Sequence, residues 1–199
     1  MRFPLESEVL AERARLLETL RGLTDDEFNS GPTLCTEWAP RDVLAHLIGV
    51  DSPGTYVRHR GIGAANAAQV AKARELSREQ LMARAAAWAA RPSATGRLGA
   101  WFLIGDLCIH HQDIVRGLHR TRDVPPAAAA AIYREGALVL SPVFNRRIFR
   151  YRVVPTDGGR ALGRGREVRG TREALGMWLA GRDPVSAELE FAPPSTPPS

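Results

Sequence analysis

Apolar residues recur at Leu5, Val9, Leu10, Leu16, Leu17 and Leu20 with charges between them, close to the 3.6-residue period of an α-helix. The chain therefore opens on an amphipathic helix over 5–23. Thr24-Asp25-Asp26-Glu27 supplies a cap and an acidic first turn for a short helical piece, which Gly31-Pro32 breaks. A further helix starts at Trp38-Ala39-Pro40-Arg41-Asp42, with Pro40 in the first turn where its missing N–H costs little, and carries Val43, Leu44, Leu47 and Ile48. Between Ser52 and Gln69 the periodicity is poor. Ser77 with Gln80 has capping-box spacing and precedes an Ala-rich helix through Trp88. Long helical patterns follow over 98–118 and 127–140. Helices of this length with short connections predict an antiparallel bundle, ending near Ser141-Pro142.

Beyond it the period changes. Phe149, Tyr151 and Val153 alternate with Ile148, Arg150, Arg152 and Val154 as in a strand, and Asp157-Gly158-Gly159 reads as a turn. A short helix over 171–179 stops at Gly181, and 185–191 reads as a returning strand. The predicted organisation is a helical bundle over 1–142, a small α/β domain over 143–192 and a proline-rich, disordered tail over 193–199. The four tryptophans, Trp38, Trp88, Trp101 and Trp178, read as core.

Composition narrows the class. With 44% hydrophobic and 25% charged residues in 199, the chain has enough apolar material for a packed core without disulfides or a structural metal. Its apolar runs are far short of a membrane span, and its first twenty residues lack the apolar stretch of a signal peptide, so the expectation is a cytoplasmic protein without membrane attachment. Cys35 and Cys108 are not a disulfide framework and read as free thiols. The net charge is +5, and 26 of the 27 basic residues are arginine; this skew and the Ala-rich text read as GC-rich coding rather than as evidence about partners. Ten arginines between Arg146 and Arg182 against Asp157, Glu167 and Glu173 give that segment +7. Such a basic stretch suits nucleic acid, a carboxylate-bearing small molecule, or a merely solvated face. Interleaved aromatics and a recognition helix are missing from it, so nucleic acid is not expected.

The candidate chemistry lies in Gly105-Asp106-Leu107-Cys108-Ile109-His110-His111-Gln112-Asp113. Asp106, His110 and Asp113 at i, i+4 and i+7 share one helix face, while His111 points about 100° away. A carboxylate and an imidazole one turn apart can share a divalent metal if another helix brings a third ligand, and His46, on an otherwise apolar segment, offers it. Two His and one carboxylate with an open position is a catalytic arrangement for Zn²⁺, or for Fe²⁺ or Ni²⁺. Spacing alone fits a hydrogen-bonded helix-face pair and a satisfied core histidine equally well.

The segment Leu34-Cys35-Thr36-Glu37-Trp38-Ala39-Pro40-Arg41-Asp42-Val43-Leu44-Ala45-His46-Leu47 resembles the opening motif of the mycothiol-dependent maleylpyruvate isomerase family, within the DinB-like metal-bundle superfamily. Asp106 to Asp113 is similar to that family's Glu-x-x-x-His-x-x-Asp helix, and the stretch from Gly163 to Arg182 resembles its small C-terminal domain. GC-rich coding suits the actinobacteria, which make mycothiol. The resemblance implies a mainly α fold, a DinB-like four-helix bundle followed by a small α/β domain. It implies His46, Asp106 and His110 as metal ligands, with Asp106 one methylene shorter than the family's usual Glu, and Asp113 as a residue that orients a ligand or pairs with Arg116. The implied cofactors are a divalent metal, Zn²⁺ first, and mycothiol, whose thiolate attacks an electrophilic small molecule as an isomerase or an S-transferase does. Arg166 and Arg182 are the candidates to hold a carboxylate of that substrate. A hydrolase using metal-bound water and a non-catalytic binding member of the family are the alternatives. No surplus apolar face remains after the bundle is built, so a monomer is expected.

Overall fold

A computed structural model describes residues 4–51, 58, 61–91, 93, 97, 99–139 and 146–193. The expected disorder over 194–199 and the bundle end at Ser141-Pro142 lie outside the described residues. Two compact units form, 1–123 and 124–199.

The first unit is helical: α1 (Glu6–Arg21), α2 (Asp25–Ser30), α3 (Pro40–Val50), α4 (Ile62–Arg74), α5 (Arg78–Ala90) and α6 (Ala100–Gly117). Helices α1, α3, α5 and α6 make the four-helix bundle, α1 against α5 and α6, and α3 against α5 and α6. Leu16, Leu20, Leu44, Leu81, Ile104, Ile109 and Ile114 fill it. The expected start signals are in place, since Thr24 with Glu27 and Ser77 with Gln80 each form a reciprocal capping box. Helix α4 is the element that the pattern hides. Of its small side chains only Ala65, Val70 and Ala73 are buried, against α3, too few to raise a period. None of the described helices is long and apolar enough to cross a membrane.

Polar groups buried in this bundle tie its helices together. The Glu12 carboxylate of α1 accepts from His111 Nδ1 at 2.7 Å and pairs with Arg122 and Arg15, each at 2.8 Å, while Thr19 Oγ1 lies 2.8 Å from His111 Nε2. One imidazole nitrogen donates and the other accepts, which is the neutral ring. Burial pushes the His111 pKa down, in keeping with that tautomer. Burial alone would raise the Glu12 pKa, but the His111 hydrogen bond and Arg122 outweigh it and hold the pKa at about 2, against 4.5 for a free Glu. A depressed carboxylate pKa stabilises the fold at pH above 4.5 and loses that contribution as the pH falls through about 2. The shift corresponds to roughly 3 kcal/mol. Acid titration followed by circular dichroism should therefore show Glu12→Gln less stable than wild type near neutral pH, with the difference shrinking below pH 4.5.

The second unit holds α7 (Pro126–Arg134), a π-helical turn (Glu135–Val139), α8 (Arg146–Arg150), β1 (Tyr151–Pro155), β2 (Leu162–Gly163), β3 (Arg166–Gly170), α9 (Arg172–Leu179), a 3₁₀ turn (Asp183–Glu188) and β4 (Glu190–Phe191). The sheet order is β2-β1-β3-β4, with β1 parallel to β3 and the outer pairs antiparallel. Val153 and Val168, opposite each other in β1 and β3, are buried.

Three features of this unit differ from the sequence expectation. Helix α7, assigned to the bundle by its period, packs on α9, where a Cβ at Gly176 would stand 2.5 Å from the Ile132 carbonyl oxygen. Helix α7 accordingly falls in the second of the two compact units, 124–199. The strand expected from 148 begins at Tyr151, because 146–150 is a helical turn whose Ile148 carbonyl accepts from Arg164 N–H. Most of the strand expected over 185–191 is the 3₁₀ turn, which starts around Pro184, a residue with no N–H to give a ladder.

Candidate metal centre

The loop before α3 is seated by glycine. A Cβ at Gly117, near the end of α6, would lie 2.4 Å from Thr33 Cα, so only Gly lets the 32–35 backbone press against α6. Leu34 N–H then donates to the Asp113 carbonyl at 3.0 Å. The Thr33 hydroxyl, within 3.0 Å of the Cys35 carbonyl and 2.7 Å of the Trp38 carbonyl, closes the turn that presents Cys35 and Trp38. Pro40 starts α3, and the Asp42 carboxylate accepts the Ala39 N–H at 3.2 Å while holding Arg74 at 2.8 Å. His46, six residues on, points inward and is buried.

His46 and the α6 face meet. Asp106 spans both imidazoles, one carboxylate oxygen 3.4 Å from His46 Nε2 and the other 3.4 Å from His110 Nε2. The two rings are 4.9 Å apart, edge to face. One ligand atom from each of His46, Asp106 and His110 lies within 4.8 Å of the others, so three donors converge on one point. The shorter Asp reaches both histidines. Asp106 is 24% exposed while both histidines are buried, which leaves the carboxylate side as the approach from solvent.

Behind His110, Asp113 Oδ2 lies 3.0 Å from Nδ1. Asp113 is fully buried, and its carboxylate faces Nδ1 while Nε2 faces Asp106. Burial disfavours a charged His110, but Asp106 and then Asp113 outweigh it and raise the pKa to about 10. Two imidazole nitrogens and a carboxylate oxygen form a donor set that suits Zn²⁺, so the residues present fit a divalent metal.

Two residues at this centre carry no signal in helical spacing. Trp38, expected in the core, is half-buried and packs 5.1 Å from His46 and 6.0 Å from His110, centroid to centroid, a wall for both imidazole rings. Cys35 Sγ lies 3.0 Å from Asp113 Oδ2 and 3.5 Å from His110 Nδ1. Their place just before the Arg41-Asp42 helix start is the only sequence clue to either. Trp88 and Trp178 are core as expected, whereas Trp101 is 42% exposed beside the exposed Phe102, because both sit at the solvent-facing start of α6. Both cysteines are free thiols.

His46, Asp106, His110 and Asp113 are thus brought together in the first unit. Arg166 and Arg182 belong to the second. Arg166 lies over the Phe191 ring and donates to the Ala192 carbonyl, and Arg182 donates to the Ala180 carbonyl at 2.7 Å.

Residues 9–115, more than half of the chain, match the family described as mycothiol maleylpyruvate isomerase N-terminal domain. Among solved structures, the crystal structure of the mycothiol-dependent maleylpyruvate isomerase superposes with a TM-score of 0.65 at 17% identity, covering 98% of this chain and 95% of that one. A histidine-to-alanine mutant of that enzyme gives 0.64 at 16% identity with the same coverage. At such identities the likeness concerns the fold, and it extends over both units. No curated protein matches the sequence. The family match spans the whole stretch that carries Cys35, Trp38, His46, Asp106, His110 and Asp113, and this chain belongs to the mycothiol maleylpyruvate isomerase N-terminal domain family.

Proposed function

We propose that this protein is a metal-dependent enzyme that uses mycothiol, acting as an isomerase or S-transferase on an electrophilic small molecule. The observation that carries the reading is the convergence of His46, Asp106 and His110 from α3 and α6, within the region that defines the family. A divalent metal held by these three residues, Zn²⁺ first, would act as a Lewis acid whose open position lowers the pKa of a cofactor thiol.

The chain's own residues do the rest. Asp113 holds the Nδ1 proton of His110, so Nε2 is the ring atom turned to Asp106 and to a metal that displaces its proton. Trp38 covers both imidazole rings and limits their rotation. Asp106, the most exposed of the three ligands, lies where thiol and electrophile arrive. Arg166 and Arg182 are proposed to hold a carboxylate of the substrate, for which a guanidinium offers a two-pronged match.

The test is turnover of maleylpyruvate and of simple electrophiles by the Zn²⁺-reconstituted protein, with and without mycothiol and with and without a chelator. Turnover that needs both metal and thiol is expected. Hydrolysis without thiol would place the protein among metal hydrolases instead, and metal binding without turnover of any electrophile would make it a binding protein.

A further inference from the structure

The Cys35 thiol sits against the hidden side of the metal centre. Its Sγ is 3.0 Å from Asp113 Oδ2, the same oxygen that lies 3.0 Å from His110 Nδ1. Sulfur and Nδ1 are themselves 3.5 Å apart. Both groups act as donors to one carboxylate oxygen, since His110 must carry its proton on Nδ1 to leave Nε2 to a metal. Asp113 is fully buried, and an ionised carboxylate there needs more than one donor to hold its charge and its direction. The placement of Cys35 is itself built: Gly117 admits the loop, Leu34 N–H is bonded to the Asp113 carbonyl, and Thr33 closes the turn.

We propose that Cys35 is a positioning residue for metal binding, whose S–H donates to Asp113 and so keeps that carboxylate aimed at His110. It touches neither substrate nor metal. Loss of the donor removes one of the bonds that fix the direction of the Asp113 carboxylate, and the His110 ring it orients becomes free to turn. The inference rests on the three-ligand site proposed above and assigns a task to a cysteine that the sequence offers only as a free thiol.

The experiment is Co²⁺ and Zn²⁺ titration of wild type, Cys35→Ala and Cys35→Ser, with visible absorption of the Co²⁺ form and affinities from competition with a chelator. Thermal melting of the metal-free proteins runs alongside. Alteration of second-layer partners costs 10 to 100-fold in metal affinity, so Cys35→Ala should bind about tenfold more weakly with a changed Co²⁺ spectrum. Cys35→Ser, which keeps a donor, should recover most of the affinity. If both variants bind as wild type does, or if Ser fails as badly as Ala while both melt low, Cys35 is structural and the proposal falls. A second equivalent of metal that needs Cys35 would also overturn it, because the thiol would then be a ligand alongside His110 and Asp113. Absence of metal from the wild type would instead remove the three-ligand site.

Discussion

Arg13→Ala should destabilise the helical unit by about 3–5 kcal/mol, a large share of the total stability of a typical domain. The Arg13 guanidinium is 2% exposed and pairs with Asp51, itself 7% exposed, at 3.2 Å. It also donates to the Trp88 carbonyl at 2.8 Å and lies 4.1 Å over the Trp88 ring. One side chain of α1 therefore meets the ends of α3 and α5. Asp51 accepts from Ser93 N–H, but that neutral bond does not replace a cation, and truncating Arg13 leaves a carboxylate buried without its charge partner. The cost belongs to the orphaned charge. Accordingly, Arg13→Met combined with Asp51→Leu should be far less destabilised than Arg13→Ala alone. Urea unfolding followed by circular dichroism compares the three proteins; an Arg13→Ala loss below about 1 kcal/mol would show the pair to be inconsequential.

Much of the frame was legible because local rules and burial agree. Leu16, Leu17 and Leu20 mark the buried stripe of α1, and Thr24–Glu27 and Ser77–Gln80 mark helix starts that the structure shows as reciprocal caps. The pairing of Asp106 with His110 follows from one helical turn, whereas His46, offered as a third ligand by its place on an apolar segment and supported by the family motif, approaches them only because α3 lies against α6. What stayed hidden is tertiary. No periodicity links Glu12 to His111, Arg13 to Asp51 or Cys35 to Asp113, since each bond joins elements far apart in the chain. Helix α4 was hidden for a different reason, its buried face being Ala65, Val70 and Ala73, too few apolar positions against α3 to raise a hydrophobic period. The turn over 146–150 shows the opposite failure: its text alternates as a strand does, but the carbonyls of Ile148 and Arg150 lie against Gly163 and Gly165, where any side chain would collide.

His46→Ala and His110→Ala should each abolish stoichiometric metal binding. With three protein ligands, removal of one leaves two donors, and the loss should exceed the 10 to 100-fold that follows from altering a supporting partner. The fold should survive both changes. His46 has a buried Nδ1 without a hydrogen-bond partner among the described residues, so its truncation removes an unsatisfied polar atom along with the ligand. His110→Ala frees Asp113 from its imidazole partner, and this variant should be the less stable of the two when metal-free.

The decisive measurement is elemental analysis of wild type, His46→Ala and His110→Ala after identical reconstitution with Zn²⁺ and gel filtration, with circular dichroism to verify folding. The three-ligand site predicts about one divalent metal per wild-type chain and none in either variant. A wild type that stays free of metal under these conditions, or folded variants that retain it in full, would contradict the site and with it the thiol chemistry assigned to this protein.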